Sequence, residues 1–397
     1  MLTLRNQFPI FNAHPELIYL DSAATSQKPD VVIDAVREFY TESNAPVHRS
    51  LYPLGFESTQ TYEQARAMVA NFINASSTEI VFTRSATESL NLLASSLGKQ
   101  WPKGSSVIVS RSEHHANFLP WQQSGAELRI ANLTPTGETD LDHLSSLLDG
   151  SVVAVCLAHC SNVLGSFTPL NEVRKILDQQ GSTALLIADL CQSIAHVAIN
   201  VSALGCDFAA FSGHKLYAPS GIGVLWGKQS LLEALPPYQF GGEMIATVSA
   251  QDATWNDVPW KFEAGTPNVE GAVGLGAAVS WLQQIGMQRV EMHSVILSEY
   301  AQARLPEVPG LRIIGVPDPR SGIISFTVDG VHPHDLAERL GTHGVCIRAG
   351  QHCAAPLHQI LGIGASSRIS FGVYNTSEDI DRALALINQV CLEIQNA

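Results

Sequence analysis

Charge is scarce in this chain, and what charge there is leans acidic. Only 15% of its 397 residues are charged, with 23 lysines and arginines against 37 aspartates and glutamates, a formal net charge of −14. No basic run offsets that balance, which argues against a nucleic-acid binder and against a ligand for anionic membranes. Long apolar runs are also missing: none reaches the roughly 18 residues of a membrane span. The opening Met1-Leu-Thr-Leu-Arg-Asn-Gln-Phe-Pro-Ile10 has no charged n-region ahead of a long apolar stretch, so no signal peptide is expected. Cysteine occurs without a framework. The seven, at 156, 160, 191, 206, 346, 353 and 391, are odd in number, irregular in spacing and mostly inside apolar runs. That is the usage of a reducing compartment, and it points to the cytoplasm. Internal repeats and low-complexity segments are absent too.

Hydrophobic residues, at 45%, are plentiful enough for a globular chain of about two or three domains. Short apolar runs of strand type alternate with amphipathic stretches: Ile80–Thr83, Ser106–Ser110, Val152–Leu157, Ala184–Ala188, Asp207–Phe211 and Gly221–Trp226. Helical spacing intervenes at Glu88–Ala94 and Leu170–Gln179. Continuous apolar strands separated by helices predict an α/β fold with a mainly parallel sheet covered on both faces. Ligands of such sheets gather beyond the carboxyl ends of the strands. After Pro236-Pro237 and an irregular 241–267 segment, a helix over Ala272–Ile285 leads toward a second unit. That unit has a strand at Ser321–Val328, a helix at Pro333–Leu340 and a terminal helix near Glu378–Gln395. The expected division is a large unit over 20–265 and a smaller α+β unit made of 1–19 and 266–397.

The chemistry-bearing residues fall just after the strands. Lys215, in Phe211-Ser-Gly-His-Lys215, sits among small, hydroxyl and apolar neighbours that favour imine formation over a solvated surface role. Asp189 ends a strand; alone it reads as a helix N-cap, but with Ser212, His214 and Lys215 one strand further on it can face a protonated pyridine nitrogen. Ser85-Ala86-Thr87-Glu88 lies where a strand hands over to a helix, as a phosphate cradle would, although singly it is an ordinary capping box. In Glu113-His114-His115-Ala116-Asn117 one histidine can stack on a flat ring and shuttle protons. Adjacent histidines diverge on a helix, which disfavours a metal reading. Cys156 and Cys160 with His159 lack a second ligand pair and read as core, and His332-Pro-His334 reads as a surface turn. Cys353, in Arg348-Ala-Gly-Gln-His-Cys353, is placed for a nucleophilic sulfur, with His352 and Arg348 beside it to stabilise a thiolate.

These residues carry a resemblance. From Asp21-Ser-Ala-Ala24 to Tyr374-Asn-Thr376 the chain resembles the group II cysteine desulfurases of the fold-type I pyridoxal-phosphate enzymes. The motifs are His48-Arg49, Glu113–Asn117, Ser161-Asn-Val-Leu-Gly165, Ser212–Lys215, Glu263-Ala-Gly-Thr-Pro-Asn268, Arg348–Ala354 and Arg368-Ile-Ser-Phe371. The Cys353 loop is most similar to the cysteine sulfinate desulfinase branch. The resemblance implies pyridoxal 5′-phosphate bound through Lys215, which also moves the α-proton. Asp189 would face the ring nitrogen, Gln192 the phenolic oxygen and His114 the ring face. Ala86, Thr87, Ser212 and His214 would hold the phosphate, with Thr266 reaching it from the second subunit of a homodimer. Arg368, with its planar fork, would clamp the substrate carboxylate, assisted by Asn162, with His48 and Arg49 on the substrate side. Cys353 would take sulfur from L-cysteine as a persulfide, leaving L-alanine, with cysteine sulfinate and selenocysteine as further substrates. Sulfur mobilisation for iron–sulfur cluster assembly, through a SufE-like acceptor protein, is the implied setting.

Two positions depart from the family pattern. Ala86 stands where a first threonine is common, and Leu190-Cys191 is bulkier than the usual pair between aspartate and glutamine. Two other readings remain open on the sequence. One is a fold-type I enzyme doing transamination or epimerisation, which would have no use for Cys353. The other is a non-catalytic sulfur carrier or scaffold, which would have no use for Lys215, Asp189 and Arg368 together.

Overall fold

The computed structural model describes residues 4–396; Met1, Leu2, Thr3 and Ala397, including the start of the segment read above for a leader, lie outside them. A seven-stranded sheet forms the centre: β1 Ile80–Thr83, β2 Ser106–Ser110, β3 Glu127–Ala131, β4 Val152–Ala158, β5 Leu185–Asp189, β6 Phe208–Ser212 and β7 Gly223–Gly227. Their spatial order is β1-β7-β6-β5-β4-β2-β3. All neighbours run parallel except β7, which is antiparallel to both β1 and β6. Every residue of β2 and of β6 is buried, which explains why these strands read as unbroken apolar or small-residue runs. The structure adds β3, which the sequence pattern did not announce. It is one of the two edge strands, and its Glu127 and Arg129 interrupt the apolar signal, as charges on an exposed edge do.

The principal helices are α1 Asp30–Glu38, α2 Pro53–Phe72, α3 Ala86–Gly98, α4 Leu170–Gln179, α5 Val269–Ile285, α6 Met287–Arg304, α7 Pro333–Thr342 and α8 Ser377–Gln395. Helix α2 escaped the periodicity reading because its buried face includes Gly55, Ser58 and Arg66 beside Tyr62 and Val69. The segment 241–267 is not wholly irregular: Ile245–Val248 pairs antiparallel with Ala253–Trp255. His332 caps α7 rather than sitting in an isolated turn, its ring accepting from the backbone of His334. No helix among the described residues is long and apolar enough to cross a membrane.

Besides a cluster on the other face of the large sheet around Val107, Ile187 and Leu225, two cores organise these parts. One, beneath the large sheet, takes in Leu186, Phe211, Tyr217 and, from α5, Ala272 and Leu275. The other joins Ile18 and Leu20 to Leu297, Phe326, Ile369 and Ile387. It underlies a four-stranded antiparallel sheet made of β8 Leu311–Ile314, β9 Ile323–Val328, β10 Arg348–Gly350 and β11 Ser366–Ser370. Its order is β8-β9-β11-β10. Ile18–Tyr19 pairs parallel with Val345–Cys346, tying the amino-terminal segment to this second sheet.

A buried ion-pair network anchors the loop 263–268 to the large core. Arg66, only 1% exposed, donates to Glu263 at 2.6 and 2.9 Å and to Glu63 at 2.8 Å. Glu263 also accepts from Tyr62 Oη and from the Phe82 backbone. Removing one partner of a buried pair strands the other charge away from water. Glu263→Ala is therefore expected to cost about 3 kcal/mol of unfolding free energy, read by urea denaturation; a loss under about 1 kcal/mol would show that the network contributes little.

Candidate active site

Beyond the carboxyl ends of the parallel strands lies a cavity of about 570 Å³. Asp189 enters it from the end of β5, Ser212 from the end of β6 with His214 and Lys215 on the turn that follows, and His114 from the loop after β2. Asn162 follows β4, Ala86 and Thr87 open α3, Arg368 projects from β11, and Cys353 stands on the loop after β10. Gln192 completes the set. Chain topology thus brings together residues as distant in sequence as Ala86 and Arg368.

Close backbone packing sets the position of α3. Ser85 is its N-cap, accepting from Glu88 N. Gly223 of β7 passes so near that a Cβ there would lie 2.5 Å from Ser85 Cα, so a side chain would push the helix terminus away. The N–H of Ala86 donates to Ser212 Oγ at 2.9 Å. That N–H is therefore committed within the protein, contrary to the expectation that it is a free phosphate donor. Thr87, with its backbone N–H and hydroxyl at the positive end of the helix, is left to face an anion.

Asp189 accepts from Cys191 N at 2.9 Å through one carboxylate oxygen. Among the described residues Lys215 has no hydrogen-bond or salt-bridge partner, as an amine kept for covalent work should be. His114 Nδ1 accepts from Ala116 N at 3.0 Å, which puts the proton of the neutral ring on Nε2. Burial, then Lys215, holds His114 down to about 4; burial, then Lys215 and Lys28, does the same for His214. Both are neutral imidazoles at physiological pH, each able to donate one ring N–H.

Arg368 is 3% exposed. It donates to the Asn162 carbonyl at 2.9 Å and to Asp21 at 3.1 Å, while its Nε has no partner. Asp21 lines the cavity and occupies one arm of the arginine fork. Sequence reasoning missed that role, because Asp21 and Arg368 are 347 positions apart and no local pattern links them.

The nucleophile loop is held in an unusual backbone state. His352 and Cys353 have φ of +50° and +56°, the left-handed region that glycine favours. Asn162 Nδ2 donates to the His352 carbonyl at 2.7 Å, and the His115 N–H to the Cys353 carbonyl at 2.7 Å. His115 Nε2 also accepts from Ala355 N at 3.1 Å. The second histidine of the pair is thus the dock of the cysteine loop, and Asn162 a clamp on it. Cys353 itself is exposed. His352 cannot supply the positive charge expected beside the thiol. Its ring is turned inward to Ser366 Oγ at 3.0 Å, and burial drives its pKa down to about 3, so it is neutral. Arg348, half exposed, and the buried Arg368 are the arginine cations that share the cavity with Cys353.

Three expected residues lie outside this cavity within the chain. His48 pairs with Glu63 at 2.9 Å and Arg49 with Glu243 at 2.8 Å. Thr266 is exposed on the rim of a separate cavity of about 250 Å³, next to the anchored Glu263. Cys156 and Cys160 are buried, as their apolar setting implied, and no group of three or more potential metal ligands occurs among the described residues.

Buried histidines make stability depend on pH. Burial lowers His159 and His196 to about 4, below the ordinary value near 6.5 for an unfolded chain. Only the unfolded state binds protons in that window, so their contribution is present above about 6.5 and lost as pH falls toward 4. Glu113 has the opposite sign: burial raises it from an ordinary value near 4.5 to about 8, so its contribution is full below about 4.5 and is lost progressively as pH rises to about 8. Below about 6.5 the two histidines outweigh Glu113 and above it Glu113 acts alone, so the Tm is expected to peak near 6.5 and to decline on both sides. Calorimetry showing a flat Tm from pH 4.5 to 6.5 would contradict the burial of these rings.

The chain matches the aminotransferase class-V family model over residues 18–383 and belongs to that family, with its fold-type I architecture. The relatives it resembles are cysteine desulfurases. It is 45% identical to a probable cysteine desulfurase of Vibrio cholerae over 396 residues, 97% of each chain. With one of Halalkalibacterium halodurans it shares 44% over 388 residues, 95% of each. Among solved structures, the cysteine desulfurase CsdA of Escherichia coli superposes with a TM-score of 0.91 at 38% identity, covering 98% of both chains.

Proposed function

We propose that the protein is a pyridoxal-phosphate-dependent cysteine desulfurase, taking sulfur from L-cysteine to leave L-alanine and a persulfide on Cys353. The convergence of an uncommitted lysine, a strand-end carboxylate, a buried arginine and an exposed cysteine on one cavity carries this reading. The donor set fits the cofactor: Lys215 for its aldehyde, Asp189 for the ring nitrogen, Gln192 for the phenolic oxygen, His114 for the ring face, and Thr87, Ser212 and His214 for the phosphate. When bound, the cofactor supplies an electron sink for the bonds at the substrate Cα.

The chain's own groups supply the rest. Arg368 orients the substrate through its carboxylate, which displaces Asp21 from one arm of the fork and engages the unpartnered Nε. Lys215 Nζ would move the α-proton, and His114, with its ring proton on Nε2, lines the same cavity. The Cys353 sulfur attacks the substrate sulfur; an S–S bond forms, the substrate C–S bond breaks, and its electron pair returns to the substrate carbon skeleton. Cysteine sulfinate and selenocysteine carry better leaving groups and are proposed as further substrates. The clamp on His352 by Asn162 makes that residue an organiser of the cysteine loop as well as a neighbour of Arg368.

The working form is proposed to be a cytoplasmic homodimer that hands sulfur to a SufE-like acceptor. Exposed Leu51, Phe56, Phe240 and Trp255 support an interface, since they lie on the segments that carry His48, Arg49 and Thr266. In that arrangement Thr266 reaches the partner's phosphate. The functional division stays at 20–265 for cofactor binding, with 1–19 and 266–397 carrying the cysteine loop, although α5 packs on the large core.

Alanine release from L-cysteine, cysteine sulfinate and selenocysteine by the cofactor-loaded protein tests the assignment. All three are expected to yield alanine; no alanine from cysteine in the presence of a thiol acceptor would overturn it.

A further inference from the structure

Buried polar atoms without partners are rare in folded proteins and commonly mark a missing ligand. Among the described residues some gather at the active site, on His352 and Arg368. Others gather elsewhere, on Arg320 Nε, Arg320 Nη1 and His159 Nδ1. Arg320 and His159 line a second cavity of about 540 Å³, which shares no lining residue with the Lys215 cavity.

Arg320 is 6% exposed and forms no ion pair among the described residues; its only donation is from Nη2 to the Gly315 carbonyl. Burial brings it down to about 10, so it remains a cation at neutral pH. Glu138, the nearest acidic influence, is committed to the Thr134 and Thr136 hydroxyls. A buried guanidinium whose Nε and Nη1 contact no acceptor is costly, and those two N–H groups are best satisfied together by an anion.

The remaining walls define that anion. Leu141, Phe167, Val197 and Val295 are apolar, and the volume exceeds that of an inorganic ion. His159 and His196 are neutral at physiological pH and offer hydrogen bonds without added positive charge. Glu138, Glu291 and Asp318 also line the cavity, which disfavours a highly charged anion and limits the ligand to a single negative charge placed at the open N–H groups of Arg320. We infer that this cavity is a second ligand site, for a small monocarboxylate carried on an apolar or aromatic body, held by Arg320.

The site backs onto the reaction centre. The His159 N–H donates to the Asp189 carbonyl at 2.9 Å, and the next residue, Cys160, lines the Lys215 cavity. A ligand here would lie one backbone hydrogen bond from the strand end that carries Asp189.

Benzoate serves as the probe, with benzamide as its neutral counterpart and inorganic phosphate as the dianion, on the cofactor-loaded enzyme by saturation-transfer NMR and calorimetry. Arg368→Met removes the other carboxylate site, and benzoate is expected to bind this variant saturably. Adding Arg320→Gln or Val295→Trp to it is expected to weaken binding at least tenfold. The tryptophan fills the cavity and leaves the charge untouched, so a folding defect from loss of Arg320 would not decide the matter. Undiminished binding in both double variants, no saturable binding to Arg368→Met, or equal binding of benzamide or phosphate would each overturn the assignment.

Discussion

Cys353→Ser is expected to bind the cofactor normally and to lose desulfuration of L-cysteine by on the order of 10³-fold or more. The hydroxyl cannot accept sulfur, and no other thiol can take its place. Cys160 and Cys191 line the same cavity but are wholly buried, and burial pushes both up to about 12, so neither is a thiolate at neutral pH. The visible absorbance should be unchanged, because Cys353 sits on a loop of the second sheet while Lys215, Asp189 and His114 come from the first. Turnover of cysteine sulfinate and selenocysteine should persist, since those groups leave without thiol attack. Steady-state alanine release from the three substrates reads all of this. Full retention of cysteine desulfuration would remove Cys353 from the nucleophile role, and equal loss with every substrate would show that the loop is needed for more than its sulfur.

Lys215→Ala should have the larger effect: loss of the long-wavelength absorbance band and a fall in activity of on the order of 10⁵-fold or more with every substrate. The cavity offers no replacement. Lys28 is the other lysine nearby, and its ammonium is engaged by the Ser26 and His214 carbonyls. Burial lowers Lys28 to about 8, but its contacts hold it at the back of the turn that carries Lys215. An unchanged absorbance spectrum would refute the cofactor assignment. Loss of absorbance with activity retained would separate the cofactor from the reaction. The contrast between the two variants matters: one selects among substrates, and the other abolishes the chemistry common to all of them.

The predicted contrast also bears on the competing readings. A transaminase or epimerase of this fold would lose everything with Lys215 and nothing with Cys353. A sulfur carrier without catalysis would show the reverse. Only a desulfurase is sensitive to both, and to each in a different way.

Much of this was legible in the chain, for identifiable reasons. The strands of the parallel sheet are covered on both faces, so Ser106–Ser110 and Phe208–Ser212 read as unbroken runs of buried residues. Functional side chains sit at the ends of those runs because there the backbone leaves the sheet and opens to solvent. Edge and irregular pieces were less visible. Strand β3 carries charge at the sheet margin, and α2 buries an arginine that finds its carboxylate 197 positions away. Periodicity registers neither, since both depend on partners distant in sequence.

The sequence by itself determined the chemical types available: an amine, a ring-facing carboxylate and a thiol, each placed next to a strand end or loop, and an arginine fork on a strand. Tertiary structure alone decided how they are committed. It gave the Ala86 N–H to Ser212, set Asp21 against Arg368, made His115 the dock for the Cys353 loop, and turned His352 inward as a neutral ring. It also left Arg320 buried without an ion pair among the described residues, in a cavity apart from the Lys215 site. Residue type fixes what a group can donate or accept, whereas burial and partners hundreds of positions away fix its charge, its orientation and whether it remains free to react.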